Sequence, residues 1–310
     1  SGLDTMSAFF SISCYIFVLT LINICGLTYG FFSFLNTNRK AGILAAILSA
    51  ILWGFNGGLH PLYQWITKSN FWYTDVSRSI TVTITEIPFF SLLESDLHAH
   101  TLGALVGTVL LSLIISCWFN GFIPTDTKIR FFSPFFLGIA FLTNSWDLVI
   151  YGFIFVIVYF SRYQKLEKWM IYSWIIFILT IIPWLYHFQS PVKGISLVEV
   201  HSPIIPWLLF WGPSLLYAGF YLAFQKKNAN QLFVILFLIS ILYLLFIDLF
   251  YFKDILNSGE WFRANTVFKF TSQIWLILSV LSAVSLTFLI SQKKYLGIIS
   301  VIAISIALVY

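Results

Sequence analysis

The sequence predicts an all-α fold, a polytopic transmembrane helical bundle of about nine or ten membrane segments. Three observations predict it. Only 9% of the 310 residues are charged and 59% are hydrophobic, whereas a soluble domain carries about 25% charged residues. The apolar stretches approach or reach the roughly 20 residues that one helical crossing requires. Inside them the apolar residues are continuous and lack the two-residue alternation of a barrel strand. The same composition excludes a disordered or nucleic-acid-binding chain, so the net charge of +5 is no sign of DNA as a partner.

In chain order, helices are expected near 7–34 and 41–56, then 97–119, where Asp96 occupies a natural N-cap position. Two shorter runs, 132–144 and 146–161, flank Asn144-Ser145-Trp146-Asp147 and read as half-length helices meeting at a polar tip. Such a tip is tolerated at membrane depth only where it lines a protein cavity. Further helices are expected at 169–188, 205–225, 229–252, 272–291 and 294–310, forming one integral membrane domain over 1–310. The opening Ser1-Gly2-Leu3-Asp4, without Met or a leader pattern, reads as a processed chain or one lacking an N-terminal part. Cys14, Cys25 and Cys117 all fall in apolar runs and suggest neither disulfides nor a thiolate metal site.

Counting through these spans puts Arg39, Lys40, Lys128, Arg130, Arg162, Lys165, Lys168, Lys226, Lys227, Lys293 and Lys294 on one side, which the positive-inside rule makes cytoplasmic. All five histidines and most acids gather on the other side. The expected functional face is therefore extracytoplasmic, in an integral protein of the plasma membrane. No P-loop or dinucleotide fingerprint is present, which favours a substrate delivered in the membrane.

The densest chemistry lies in Glu86-Ile-Pro-Phe-Phe-Ser-Leu-Leu-Glu94-Ser-Asp96-Leu-His98-Ala-His100. Asp96 and His100, four apart, would share a helical face and offer a carboxylate and an imidazole to a divalent metal; the bland alternative is a capping Asp with interfacial histidines. A second stretch holds Glu260, Arg263, Asn265, Lys269 and Gln273. Its cations sit near a helix N-terminus, where the macrodipole disfavours them unless an anion such as a phosphate is near; snorkelling anchors are the alternative. Asn144 and Asp147 need a polar cavity or each other. Asp248 is expected to pair with a cation such as Arg263. Arg78, after an aromatic cluster, reads mainly as structural, and the loop around Lys193, Glu199 and His201 as a cover over the outer cavity.

The order of these motifs resembles the Chlor-Arch-YYY domain family of multi-span membrane proteins, a domain of unknown function likened to GT-C glycosyltransferases. The matching blocks are Phe71-Trp72 through Arg78, Thr85-Glu86-Ile-Pro-Phe-Phe-Ser with Asp96-Leu-His98-Ala-His100, Leu142-Thr-Asn144-Ser-Trp146-Asp147, His187 through Ile195, and Arg263-Ala-Asn265-Thr266-Val-Phe-Lys269-Phe. The chain departs where the family usually has Met for Ala264, a tyrosine pair for Thr271 and Ser272, and Gly for Ser95. The resemblance implies a GT-C-like bundle that transfers a sugar from a polyprenyl-phosphate donor on the outer face. Asp96, with Glu94, His98 or His100, would hold magnesium or manganese or polarise the acceptor. Arg263, Lys269 and Arg78 would neutralise the donor phosphate, and Glu86, Asn144, Asp147, Asn265 and Gln273 would line the site. It further implies that the catalytic base lies upstream of Ser1. Two other classes compete: a transporter or flippase for a lipid-linked or anionic substrate, and a non-catalytic subunit with membrane partners.

Overall fold

The computed structural model describes residues 4–67, 73–121, 127–164, 168–190, 192–225, 229–254, 259, 261–292 and 295. Among them the helices are α1 (Thr5–Leu35), α2 (Arg39–Phe55), α3 (His60–Thr67), α4 (Pro88–Leu93), α5 (Ala99–Asn120), α6 (Thr127–Thr143), α7 (Ser145–Tyr163), α8 (Trp169–Leu185), α9 (Ile204–Gln225), α10 (Gln231–Leu249) and α11 (Ala264–Ser291). A 3₁₀ turn covers Tyr73–Arg78, and two short strands, β1 (Gly194–Leu197) and β2 (Phe250–Lys253), pair antiparallel with Gly194 opposite Lys253. Six helices, α1, α5, α7, α9, α10 and α11, are long and apolar enough to cross a membrane, and α6 and α8 add shorter apolar helices. The chain is thus an all-α, polytopic membrane bundle.

Three boundaries differ from those expected. The pair around Asn144 is not half-length: α6 has 17 residues and α7 has 19, about 26 and 28 Å of rise. Their apolar runs were underestimated because Lys128, Arg130 and Arg162 are carried within the helices. α11 begins at Ala264, eight residues before the expected start, so the Asn265–Gln273 stretch is helix. The expected 229–252 helix ends at Leu249, where β2 begins. The helix expected at 294–310 lies, apart from Tyr295, outside the described residues, as do Phe71, Trp72, Pro191 and Glu260.

The bundle is built around α11, which is buried from Phe270 to Leu289 except at Ser272 and Phe288. It packs against α1, α2, α5, α7, α9 and α10. With no hydrophobic drive between helices in lipid, close packing and interhelical hydrogen bonds must hold such a centre. The structure supplies both. Trp275 Nε1 donates to the Trp53 carbonyl at 3.0 Å, Ser282 Oγ to the Ser214 carbonyl at 3.0 Å, and Tyr243 Oη to the Ile150 carbonyl at 2.8 Å. Close approach is allowed on α5 by Gly103-Ala-Leu-Val-Gly107, a small-residue repeat of the kind that lets membrane helices meet backbone to side chain. A Cβ at Gly103 would lie 2.5 Å from Asp147 Oδ2, and one at Gly107 would lie 2.6 Å from Gln273 Oε1 and press on the Tyr151 hydroxyl.

Because the spans alternate in direction, the start of α5, the α6–α7 junction, the end of α10 and the start of α11 meet at one end of the bundle. Contacts across the chain confirm it, including the β1–β2 pair and the Arg263–Asp248 ion pair. Gly107→Leu should force α5 away from α7 and α11, lowering stability by about 1–3 kcal/mol; thermal melting of the detergent-purified protein checks it, and an unchanged midpoint would refute the packing role.

Candidate functional site

The site begins with a local constraint. The residue before a proline is driven to extended backbone, and Ile87, before Pro88, has φ −85° and ψ 146° and caps α4. Pro88 is suited to that first helical position, where no N–H is needed. α4 is one and a half turns long and ends at Glu94. Ser95 then takes a positive φ of 52° and reverses the chain, and the Asp96 amide closes the turn on the Ser91 carbonyl at 2.8 Å. The chain folds back, so Glu86 before α4 and Asp96 after it face each other. The departure at Ser95 from the glycine expected there has a structural consequence: Ser95 occupies the left-handed region that glycine enters without steric cost.

The expected N-cap needs correction. α5 starts at Ala99 with His98 as its cap, and Asp96 lies two residues ahead, where its Oδ1 accepts from the His98 amide at 3.1 Å and meets His98 Nδ1. Asp96 and His100 therefore do not share a helical face, yet the turn brings them together. Glu86, Asp96 and His100 each offer a ligand atom within 4.8 Å of the others. Ser91 Oγ, on α4, donates to Glu86 Oε1 at 2.7 Å and lies 3.0 Å from His100 Nε2. His100 is buried, its ring 4.4 Å edge-on to Phe268, and its Nδ1 has no hydrogen-bond partner. Burial pushes the Glu86 carboxyl above its ordinary value, against the opposing Ser91 hydrogen bond and with the Asp96 charge adding to the rise.

These groups form the polar end of a pocket of about 540 Å³ of empty space. Its deeper walls are apolar: Ile16 and Phe17 of α1, Trp53 of α2, Ala104 of α5 and Trp275 of α11. Thr101, Ser272 and Ser13 add hydroxyls, and Ser13 Oγ has no partner. Lys269, half-buried on α11 and 5.4 Å from the Phe268 ring, makes no ion pair within 4.0 Å among the described residues, and Asp147, Asp96 and Glu86 are the acids that act on it. Two acids and an imidazole suit a divalent cation of the manganese or magnesium type. A spread of 4.8 Å is close to the separation of opposite ligands, about 4.2 Å, around such an ion.

The other expected residues fall elsewhere. Glu94 and His98 are exposed at the pocket's rim, and Arg78 is exposed with Nη1 donating to the Ser77 carbonyl at 3.1 Å. Arg263 is buried, 1% exposed. Its Nη1 donates to Asp248 Oδ1 at 2.8 Å and to the Ile247 carbonyl at 3.3 Å, and its Nη2 to Ser202 Oγ at 3.0 Å. The expected Asp248–Arg263 pairing is present, and it takes Arg263 out of the acid pocket. Asn265 Nδ2 donates to Asp254 Oδ2 at 2.7 Å.

Asn144, Asp147 and Gln273 form a separate buried network. Asp147 accepts from Asn144 Nδ2 at 2.8 Å and from Gln273 Nε2 at 3.1 Å, and Tyr151 Oη donates to Gln273 Oε1 at 2.7 Å. Reading the sequence alone missed four contributors: Tyr151, Ser91, Gly103 and Gly107. The glycine spacing was a visible signal; nothing local marks Ser91 or Tyr151.

The fold and these sites define a multi-span α-helical membrane protein with a buried polar network and an acid–imidazole pocket at one end. The chain belongs to the uncharacterized membrane protein family DUF2298, whose model matches residues 2–239 and 215–278. The Chlor-Arch-YYY name expected from the motifs, and its glycosyltransferase likeness, are not part of that match. No curated protein and no solved structure matches the chain.

Asp147→Leu leaves two buried amide N–H groups without their acceptor and should cost about 2–5 kcal/mol; Ser95→Gly, which removes left-handed strain, should instead stabilise by about 1 kcal/mol. Melting both variants beside the wild type checks the two opposite signs.

Proposed function

We propose that this protein is a glycosyltransferase-like membrane enzyme that takes a sugar from a polyprenyl-phosphate donor at the Glu86–Asp96–His100 pocket, on the extracytoplasmic face. The observation that carries the reading is the gradient within one pocket. Three metal-ligating side chains converge at its polar end, and its deeper walls are helix faces of aliphatic and aromatic residues. A ligand with a phosphate head and a hydrocarbon tail matches that gradient. The motif resemblance supports the same class.

In this reading Glu86, Asp96 and His100 hold the divalent cation. When bound, it supplies charge stabilisation to a leaving phosphate. Lys269, beside Phe268 on α11 and without an ion-pair partner among the described residues, neutralises further phosphate charge as it develops. Trp275 and Phe17 exclude water from the tail. Glu94 and His98 stand at the rim, where an acceptor would enter. Arg263 acts as a structural cation in this scheme, and its part in donor binding is taken by Lys269.

Manganese binding to the purified protein, followed by electron paramagnetic resonance, should weaken by about 100-fold or more in Asp96→Asn and in His100→Ala. Sugar transfer from a polyprenyl-phosphate donor should be lost in Asp96→Asn and fall at least about tenfold in Lys269→Gln. Wild-type turnover in Asp96→Asn would overturn the reading.

A further inference from the structure

A second, apolar cavity lies between α6, α7 and α8 and shares no lining residue with the pocket above. α7 and α8 each pack on α6 far more than on each other. The result is a crevice with α6 as its floor and α7 and α8 as its walls, about 960 Å³ of space that is continuous with its surroundings. Ser133 and Leu137 lie on the floor, Gly152 and Val156 on one wall, Trp169 and Phe177 on the other. One end is closed where Phe141 meets Phe177 and where α6 and α8 come so close that a Cβ at Gly138 would lie 2.7 Å from Thr180 Cγ2. The other end is bounded by Trp169 against Tyr159, 6.1 Å between ring centres. Between these stops the crevice opens sideways, past the exposed side chains of Val149, Phe153 and Val156, to the membrane.

Length and charge identify the occupant. The α7 wall from Leu148 to Val156 rises about 12 Å, and Val156 lies about 9 Å along α7 from Arg162, so a chain entering at the basic end reaches past the middle of the roughly 30 Å hydrocarbon core. At the Trp169 end stand the exposed cations Arg162 and Lys168; Arg162 is stacked over the Trp118 and Tyr163 rings. At that same end two buried polar atoms lack a full hydrogen-bond partner among the described residues. Trp169 Nε1 has no acceptor, and Ser133 Oγ has only the weak thiol of Cys117 beside it. Orphaned buried donors call for an acceptor, and glycerol-ester carbonyls lie at that depth in a phospholipid whose phosphate reaches basic side chains.

We infer that this crevice binds one anionic phospholipid from the leaflet on the basic side of the bundle. One acyl chain lies between α7 and α8, the ester region meets Trp169 and Ser133, and the phosphate meets Arg162 and Lys168. A chain seated there would fill the gap between α7 and α8, which meet at its basic end through Tyr159 and Trp169.

The test uses the whole chain purified in mild detergent, with native mass spectrometry for retained lipid and thermal melting with added phosphatidylglycerol or phosphatidylcholine. Wild type should retain one phospholipid, mostly phosphatidylglycerol, and be stabilised more by that lipid. Gly152→Phe points bulk into the crevice, since a Cβ there meets only Leu148 Cδ1 at 3.8 Å; it should retain none. The double variant Arg162→Gln with Lys168→Gln should keep a lipid and lose preference for the anionic one, by roughly fivefold per cation. Where Gly152→Phe fails to elute as a folded protein, Val156→Phe provides the same block one turn away. Retention in the blocked variant equal to wild type, or no retained phospholipid in wild type, would overturn the site. Equal response of wild type to the two lipids would overturn its anionic assignment.

Discussion

Asp147, with no exposure to solvent, sits where α5, α7 and α11 meet, and the placement of all three helices follows from how that carboxylate is accommodated. An ionisable group inside a membrane bundle is expensive unless its hydrogen-bonding capacity is met by the protein. Asn144, at the α6–α7 junction, and Gln273, one-third of the way along α11, meet it, and Tyr151 orients Gln273 from a full turn further along α7. None of this fits unless α5 presents no side chain at the crossing, which is why Gly103 and Gly107 face the network. Polar satisfaction and small-residue packing, usually treated as alternative ways of joining membrane helices, are here one device. The network also sets the register of α11, and so the depth at which Lys269, one turn above Gln273, meets the acid pocket.

The end of the bundle bearing the acids is tied by a second, more exposed set of bonds. Asp248 at the end of α10 accepts from Arg263 at the start of α11, and it accepts the Ser202 amide at 2.9 Å from the loop before α9. His201 Nδ1 donates to the Asp248 carbonyl at 2.8 Å. The β1–β2 pair joins the same two loops a few residues away. The loops before α9 and after α10 are thereby clipped to the helix ends, while the Glu86–Asp96 turn is held by its own short-range bonds, Ser91 among them, and by the packing of α4 on α1 and α2. The pocket thus has one rigid wall, α11, and one wall that is a tight turn containing a left-handed serine.

Much of the fold was legible because membrane insertion imposes a simple rule on sequence: apolar runs of the right length, with basic residues between them. That rule placed α1, α2, α5, α8 and α9 closely, misjudged α6, α7 and the start of α11, where charged residues lie inside helices, and ran α10 three residues past its end at Leu249. Within the site, Glu86, Asp96 and His100 were legible as a cluster because they are close in sequence. The means of bringing them together was not, since it depends on a reversal at Ser95 and not on the four-residue helical spacing. Arg263 reads as a donor-site cation in the sequence for a related reason. A cation near a helix start reads as an anion site, and its carboxylate partner, Asp248, is 15 residues away on another helix; the sequence offered that pairing as a separate possibility without showing that the two readings exclude each other.

Arg263 and Lys269 differ in how their charge is met. Arg263 has a carboxylate at 2.8 Å, a serine and a backbone carbonyl, and a guanidinium so enclosed, at 1% exposure, gains nothing from a further anion that it would not lose from the existing pair. Lys269 has the opposite situation. It is partly buried, it has no carboxylate within ion-pair distance among the described residues, and the three acids that act on it are split between the buried network and the pocket. A cation held between two acidic groups but bonded to neither keeps its hydrogen-bonding capacity for whatever enters the space between them. Arg263 is bonded to its carboxylate, whereas Lys269 is acted on by Asp147, Asp96 and Glu86 without an ion pair to any of them.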